Sequence, residues 1–236
     1  MVRHFWVITG GTVDMEWLKS LTFDSTEENL FMAADKGLLY AKEASLPVQY
    51  VLGDFDSLPE NILEEYKEKK IAIKAYPPEK DYTDTHLALM WAMEEKADKI
   101  SIIGGMGSRF DHSFANVGLL SLLLENGIQG EIIDPYNKIF MIDREHSGVV
   151  TIKKQKNTKE FVSLIPYTEK VTGICLDGFK YPLNQETLTI GISRGISNEL
   201  QKDEGTIEIE DGILIVSISR DKDERKLDMN EIIIYN

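Results

Sequence analysis

Cysteine occurs once in this chain, at Cys175, so no disulfide can close within it and no cysteine-based zinc site can be assembled. Histidine is nearly as scarce. His4, His86 and His146 lie far apart, without the spacing of metal ligands, and read as structural residues. No apolar run approaches membrane-spanning length, and the apolar stretch near the start, Phe5 to Ile8, is too short for a signal peptide. A cytoplasmic location and no membrane partner are the expectation. Basic residues are outnumbered: 26 Lys and Arg stand against 40 Asp and Glu, a formal charge of -14. Such a balance repels a nucleic-acid backbone or an anionic membrane unless the cations cluster. The longest basic run, Lys153-Lys154-Gln155-Lys156, lies beside a polar turn and reads as a solvated loop.

What is present is enough for a sizeable core, since 236 residues with 42% hydrophobic content accommodate one large domain or two modest ones. The first half alternates short apolar runs with helical patterns, as a parallel sheet covered by helices does. Strands are expected at Phe5–Thr9, Leu30–Ala34, Gln49–Leu52, Ile71–Ala75, Ile100–Ile103 and Gly130–Ile133. Helices are expected at Lys36–Ala44, Pro59–Lys69, Thr83–Glu95 and His112–Glu125, the second opened by capping-box spacing in Ser57-Leu58-Pro59-Glu60. From about Asn137 alternating, β-branched runs replace helices. Strands are expected at Val149–Lys153, Phe161–Ile165, Thr187–Ile190 and 231–235. Thr206–Glu210 and Ile213–Ser219 flank Asp211-Gly212, which predicts a hairpin. The division expected is an α/β domain over 1–136 and an all-β sandwich over 137–236.

Ligands of open parallel sheets bind outside the carboxyl ends of the strands. The residues following the strands here are acidic or glycine-rich: Gly10-Gly11, Asp35, Gly53-Asp54-Phe55-Asp56-Ser57, Lys80-Asp81-Tyr82-Thr83-Asp84 and Gly104-Gly105-Met106-Gly107-Ser108-Arg109-Phe110-Asp111-His112. Asp54 and Asp56 are two apart, so an extended strand end would aim both carboxylates to one side, where they need a cation. Mg2+ suits a few carboxylates plus phosphate oxygens. Asp81 and Asp84, three apart at a helix start, either join that cluster or cap the helix. Lys80 and Arg109 suit phosphate, and the glycine loop before a helix can cradle it, although it lacks the Gly-Lys-Ser/Thr ending of a P-loop. Asp111 and His112 read equally as a helix cap and a local hydrogen-bonding group.

Taken in order and spacing, Ala34-Asp35-Lys36-Gly37, the Asp54-Phe55-Asp56 motif, the Lys80–Asp84 motif and the Gly104–His112 run with Asn116 one turn on resemble the thiamine pyrophosphokinase family. Gly195-Ile196-Ser197-Asn198-Glu199 is similar to that family's C-terminal Ser-Asn motif. The resemblance implies transfer of pyrophosphate from ATP to thiamine, giving thiamine diphosphate and AMP. It implies a Rossmann-like three-layer α/β domain followed by a β-sandwich, assembled as a homodimer. Catalytic roles would fall to Asp54, Asp56, Asp81, Asp84 and Arg109, and Mg2+ to Asp54, Asp56 and Asp84. ATP would meet Asp35, Lys80, Thr83, Gly105, Arg109 and Asp111, and thiamine would meet Ser197 and Asn198. Lys36 departs from the family, which usually has glycine there. The alternatives are a related pyrophosphokinase or nucleotide hydrolase with another acceptor, and a nucleotide-sensing protein of the same fold.

Overall fold

The computed structural model describes residues 1–56, 58–155, 158–222 and 233–235. The chain forms two compact units, Met1–Asp134 and Pro135–Asn236.

Apolar runs, buried in every strand except the edge strand Ala72–Ala75, make the strands of the first unit. They are β1 (Arg3–Ile8), β2 (Glu28–Ala34), β3 (Val48–Gly53), β4 (Ala72–Ala75), β5 (Lys99–Ile103) and β6 (Gln129–Ile133). Phe5, Ile8, Met32, Leu52, Ile100 and Ile102 are fully enclosed, as strands covered on both faces require. The strands are parallel in the order β4-β3-β2-β1-β5-β6. Between them run α1 (Met15–Ser20), α2 (Gly37–Glu43), α3 (Glu60–Glu68), α4 (Asp84–Glu94) and α5 (Phe110–Glu125). The order reverses direction at β1, and right-handed crossovers then put α1–α3 on one face and α4 and α5 on the other. That is the expected three-layer α/β arrangement, with α4 packed against α5.

Local chemistry sets the helix starts. Asp14 Oδ1 accepts from the Trp17 amide at 2.9 Å and caps α1, a short helix that buries Trp17 and Leu18. Thr83, not Asp81, caps α4, its hydroxyl accepting from the His86 amide at 3.2 Å. The capping box expected before α3 includes Ser57, which lies outside the described residues; the residue at the helix boundary is Pro59. Lys156 of the basic run also lies outside them.

The second unit holds β7 (Asn137–Ile142), α6 (Arg144–Ser147), β8 (Val150–Lys153), β9 (Phe161–Pro166), β10 (Lys170–Asp177), β11 (Leu183–Thr189), β12 (Glu204–Glu208), β13 (Leu214–Ser219) and β14 (Ile233–Tyr235). One antiparallel layer runs β7-β13-β9 and the other β11-β10-β12-β8-β14. Phe140, Val150, Leu164, Ile174, Ile207 and Val216 belong to the core they share.

The hairpin expected around Asp211-Gly212 does not form. β12 pairs with β10 and β8, whereas β13 pairs with β7 and β9, so the two alternating runs lie in different sheets. A type I′ turn needs positive φ at both central residues. Only Gly212 has it, at 94°, while Asp211 bridges to Thr172. Both runs still bury alternate residues, Ile207 and Ile209 on one and Leu214, Val216 and Ile218 on the other, because each faces the same core from its own layer.

Candidate functional site

Five loops leave the carboxyl ends of β1 to β5, and a parallel sheet puts these ends on one edge. The loops after β1 and β5 flank the point where strand order reverses. They are tied together: the Gly11 amide donates to Gly104 O at 3.1 Å and the Thr12 amide to Met106 O at 2.9 Å. A Cβ on Gly11 would lie 2.1 Å from Gly104 O, so glycine alone permits this approach. Buried Asn116 holds the loop from α5, donating from Nδ2 to Gly105 O at 2.7 Å, and Ser113 Oγ accepts from the Gly107 amide at 3.1 Å.

On the other side of the switch point the structure gathers Asp35, Asp54, Asp84 and Lys80. Lys80 Nζ lies 2.5 Å from Asp84 Oδ1 and 4.0 Å from Asp54 Oδ2, and its side chain is only 13% exposed. Asp35 follows β2 with φ 46°, its Oδ1 buried without a hydrogen-bond partner. Burial first, then the neighbouring Asp84 and Asp54 carboxylates, push the Asp35 carboxyl up to about 7, against a smaller opposing effect of the Phe55 amide. Three carboxylates thus stand around a single ammonium.

Asp56 is placed differently from the strand-alternation argument. β3 ends at Gly53, with φ 147° there and 63° at Phe55, so Asp54 and Asp56 are not on extended backbone. Asp56 is exposed, and its amide donates to Asp54 Oδ1 at 3.1 Å. Asp81 is exposed too, and Thr83 is engaged as the α4 cap. Arg109 and Asp111 face each other across a forked pair, Nη2 to Oδ2 at 2.5 Å and Nε to Oδ1 at 3.2 Å. The pairing raises the Arg109 pKa and lowers that of Asp111.

In the β unit Ser197 is exposed with φ 59°, and its amide donates to Ser163 Oγ at 3.0 Å. Asn198 is buried. Its Oδ1 accepts from the Tyr181 and Glu199 amides at 3.1 and 2.9 Å, and its Nδ2 donates to Tyr181 O at 2.8 Å. Its side chain thus fastens the 179–181 segment.

Spacing alone missed Asp35 as a member of the carboxylate cluster. The signal was Gly53, whose missing Cβ leaves the space that the Asp35 carboxylate fills. Among the described residues no three Asp, Glu, His or Cys side chains are already arranged as a metal's ligand set. The donor chemistry nevertheless fits a hard cation, because an orphaned carboxylate oxygen and mutually repelling carboxylates are what such an ion relieves.

The family pattern described as thiamin pyrophosphokinase, catalytic domain, matches residues 25–131, and that described as thiamin pyrophosphokinase, vitamin B1 binding domain, matches residues 149–214. A thiamine pyrophosphokinase of Bacillus subtilis is 36% identical over 215 residues, covering 91% of this chain and 98% of the relative. Among solved structures, the thiamine pyrophosphokinase of Bacillus subtilis aligns with TM-score 0.81 at 33% identity over 93% of this chain and 100% of that one. The thiamin pyrophosphokinase of Geobacillus thermodenitrificans aligns with TM-score 0.77 at 31% identity, over 93% of this chain and 98% of that one.

Proposed function

This chain belongs to the thiamine pyrophosphokinase family, and from that premise we propose how its site works. The protein is an ATP-dependent pyrophosphotransferase that converts thiamine and ATP to thiamine diphosphate and AMP. The thiamine hydroxyl oxygen forms a bond to the β-phosphorus, the bond from that phosphorus to the oxygen it shares with the α-phosphorus breaks, and the hydroxyl proton is released. The observation that carries this reading is the carboxylate cluster of Asp35, Asp54 and Asp84 around Lys80, at the edge where parallel sheets bind nucleotides.

In this reading Asp54 and Asp84 with Asp56 would hold Mg2+, and Asp35 lies close to Asp54 and Asp84. When bound, the ion neutralises phosphate charge and orients the polyphosphate for in-line transfer. Lys80 balances the carboxylates and reaches toward phosphate, and Asp81 assists from the same loop. Arg109 turns from Asp111 to the nucleotide, while Thr83, Gly105 and Asp111 line its path. Positioning and electrostatics supply most of the rate, since phosphoryl transfer asks little covalent chemistry of the protein.

Ser197 meets thiamine and Asn198 shapes that pocket. A homodimer is part of the proposal, supported by the exposed apolar side chains of Ile190, Ile192 and Ile196 in the segment that leads to Ser197. So is a cytoplasmic location, which agrees with the lone free Cys175. No helix among the described residues is long and apolar enough to cross a membrane.

The test is incubation with ATP, Mg2+ and thiamine, following AMP and thiamine diphosphate together by chromatography. Equal, Mg2+-dependent formation of both is expected. Full activity after chelation would remove the metal from the scheme, and absence of thiamine diphosphate would remove the acceptor.

A further inference from the structure

Three cations stand in the loops that follow β1 to β5: Lys36, Lys80 and Arg109. Two of them are already engaged. Lys80 lies 2.5 Å from Asp84 and is largely enclosed, and Arg109 is forked onto Asp111. Lys36 is exposed and makes no ion pair among the described residues. Its ammonium rests over the Tyr40 ring, 5.3 Å from the centroid.

That position is a junction. The Tyr40 hydroxyl donates to Gly11 O at 3.2 Å, and the Gly11 amide donates to Gly104 O, so one ring ties α2 to the loops after β1 and β5. A Cβ added to Gly10 would come within 3.4 Å of Lys36 Cβ, which puts the lysine stem directly over the β1 loop. Asp35, one residue earlier, belongs to the carboxylate cluster. An ammonium on a flexible stem, lying on an aromatic face and held in no ion pair among the described residues, can swing to an anion without breaking one. Lys80 and Arg109 would first have to release a partner.

We propose that Lys36 is a nucleotide-binding residue of this chain, carrying its ammonium to a phosphate of the ATP polyphosphate. The inference rests on the function proposed above for the site. It gives the lysine a selective role: binding of a triphosphate gains from it, and binding of an uncharged nucleoside does not.

The experiment compares the full-length protein with Lys36→Gln and Lys36→Arg, all first matched by thermal melting. Steady-state kinetics with ATP and thiamine should show KM for ATP raised about tenfold in Lys36→Gln, with kcat and KM for thiamine within about twofold, and most of the loss restored in Lys36→Arg. Equilibrium binding of α,β-methylene-ATP, which cannot be cleaved at the reacting linkage, should weaken by the same factor, and adenosine binding should not change. An unchanged KM for ATP with unchanged analogue binding overturns the proposal, as does a loss confined to kcat. The binding arm needs no acceptor. If the unsubstituted protein forms no thiamine diphosphate but Lys36→Gln still weakens the analogue, the acceptor reading fails and the lysine's role stands.

Discussion

Asp35 Oδ1 occupies the space where Gly53 lacks a side chain: a Cβ built on Gly53 would lie 1.7 Å from that oxygen. The contact joins the end of β3 to the loop after β2, and it brings the buried, unpartnered carboxylate oxygen against the backbone that leads to Asp54.

Gly53→Ala must therefore displace Asp35 as well as strain a backbone at φ 147°. The expected cost is about 2–4 kcal/mol of stability with at least a ~100-fold fall in kcat/KM. Adding Asp35→Ala removes the clash, so the double variant should regain part of the lost melting temperature while staying inactive. Strict additivity of the two changes in melting would show that they do not share this contact.

Asp35→Asn separates stability from function. Because the folded-state pKa is raised from 3.8 to about 7, the ionised carboxyl opposes folding. The penalty is absent below about pH 4, grows as pH rises and is complete above about pH 7. With the site half-exposed and partly screened, Asn should stabilise by on the order of 1 kcal/mol at pH 8, a few degrees in Tm, and by nothing at pH 4. Activity should be lost throughout. Melts at the two pH values check the sign, and equal gains at both would contradict it.

The α/β fold and the approach of Asp54, Lys80 and Asp84 to one another were legible in the sequence, and the departures have physical causes. The six parallel strands follow from runs such as Phe5–Ile8 and Ile100–Ile103, whose burial on both faces leaves no polar alternation to confuse with another structure. The loops after them carry the acidic and glycine residues that the edge requires. The alternation argument fails at Asp56 because it holds only on extended backbone, and Gly53 and Phe55 leave it. Asp211-Gly212 imitated a hairpin because two layers facing one core demand the same alternation as two paired strands. α1, Met15–Ser20, is too short for its period to be recognised, although Asp14 marks its start.

The β unit contains a test of buried charge. Glu160 accepts from Arg220 Nη2 at 2.6 Å and Nε at 3.1 Å, with side chains 9% and 0% exposed. Glu160→Gln takes the anion from an enclosed guanidinium and should cost about 3 kcal/mol in urea unfolding, nearly independent of salt. Removing the exposed Arg144–Glu208 pair with Arg144→Ala should cost less than about 0.5 kcal/mol.

Ser197 and Asn198 should behave in opposite ways. Asn198→Ala deletes three hydrogen bonds at a buried position and is expected to lower stability by about 2–3 kcal/mol. Ser197→Ala should change stability by less than about 0.5 kcal/mol yet raise KM for thiamine severalfold. A Ser197→Ala enzyme with unaltered thiamine KM would take that residue out of the acceptor site.

The corner at Asp211-Gly212 also bears on how the β unit is made. Because β12 and β13 do not pair, neither strand can zip onto its neighbour in sequence. Thr206 must find Thr151, and Leu214 must find both Ile142 and Pro166. Each pairing closes a long loop before any ladder rewards it, so assembly is slow compared with a meander of local hairpins. During that search the apolar edges of both runs stay open to other chains, and the yield of folded protein will depend on concentration and temperature during synthesis more than its final stability suggests.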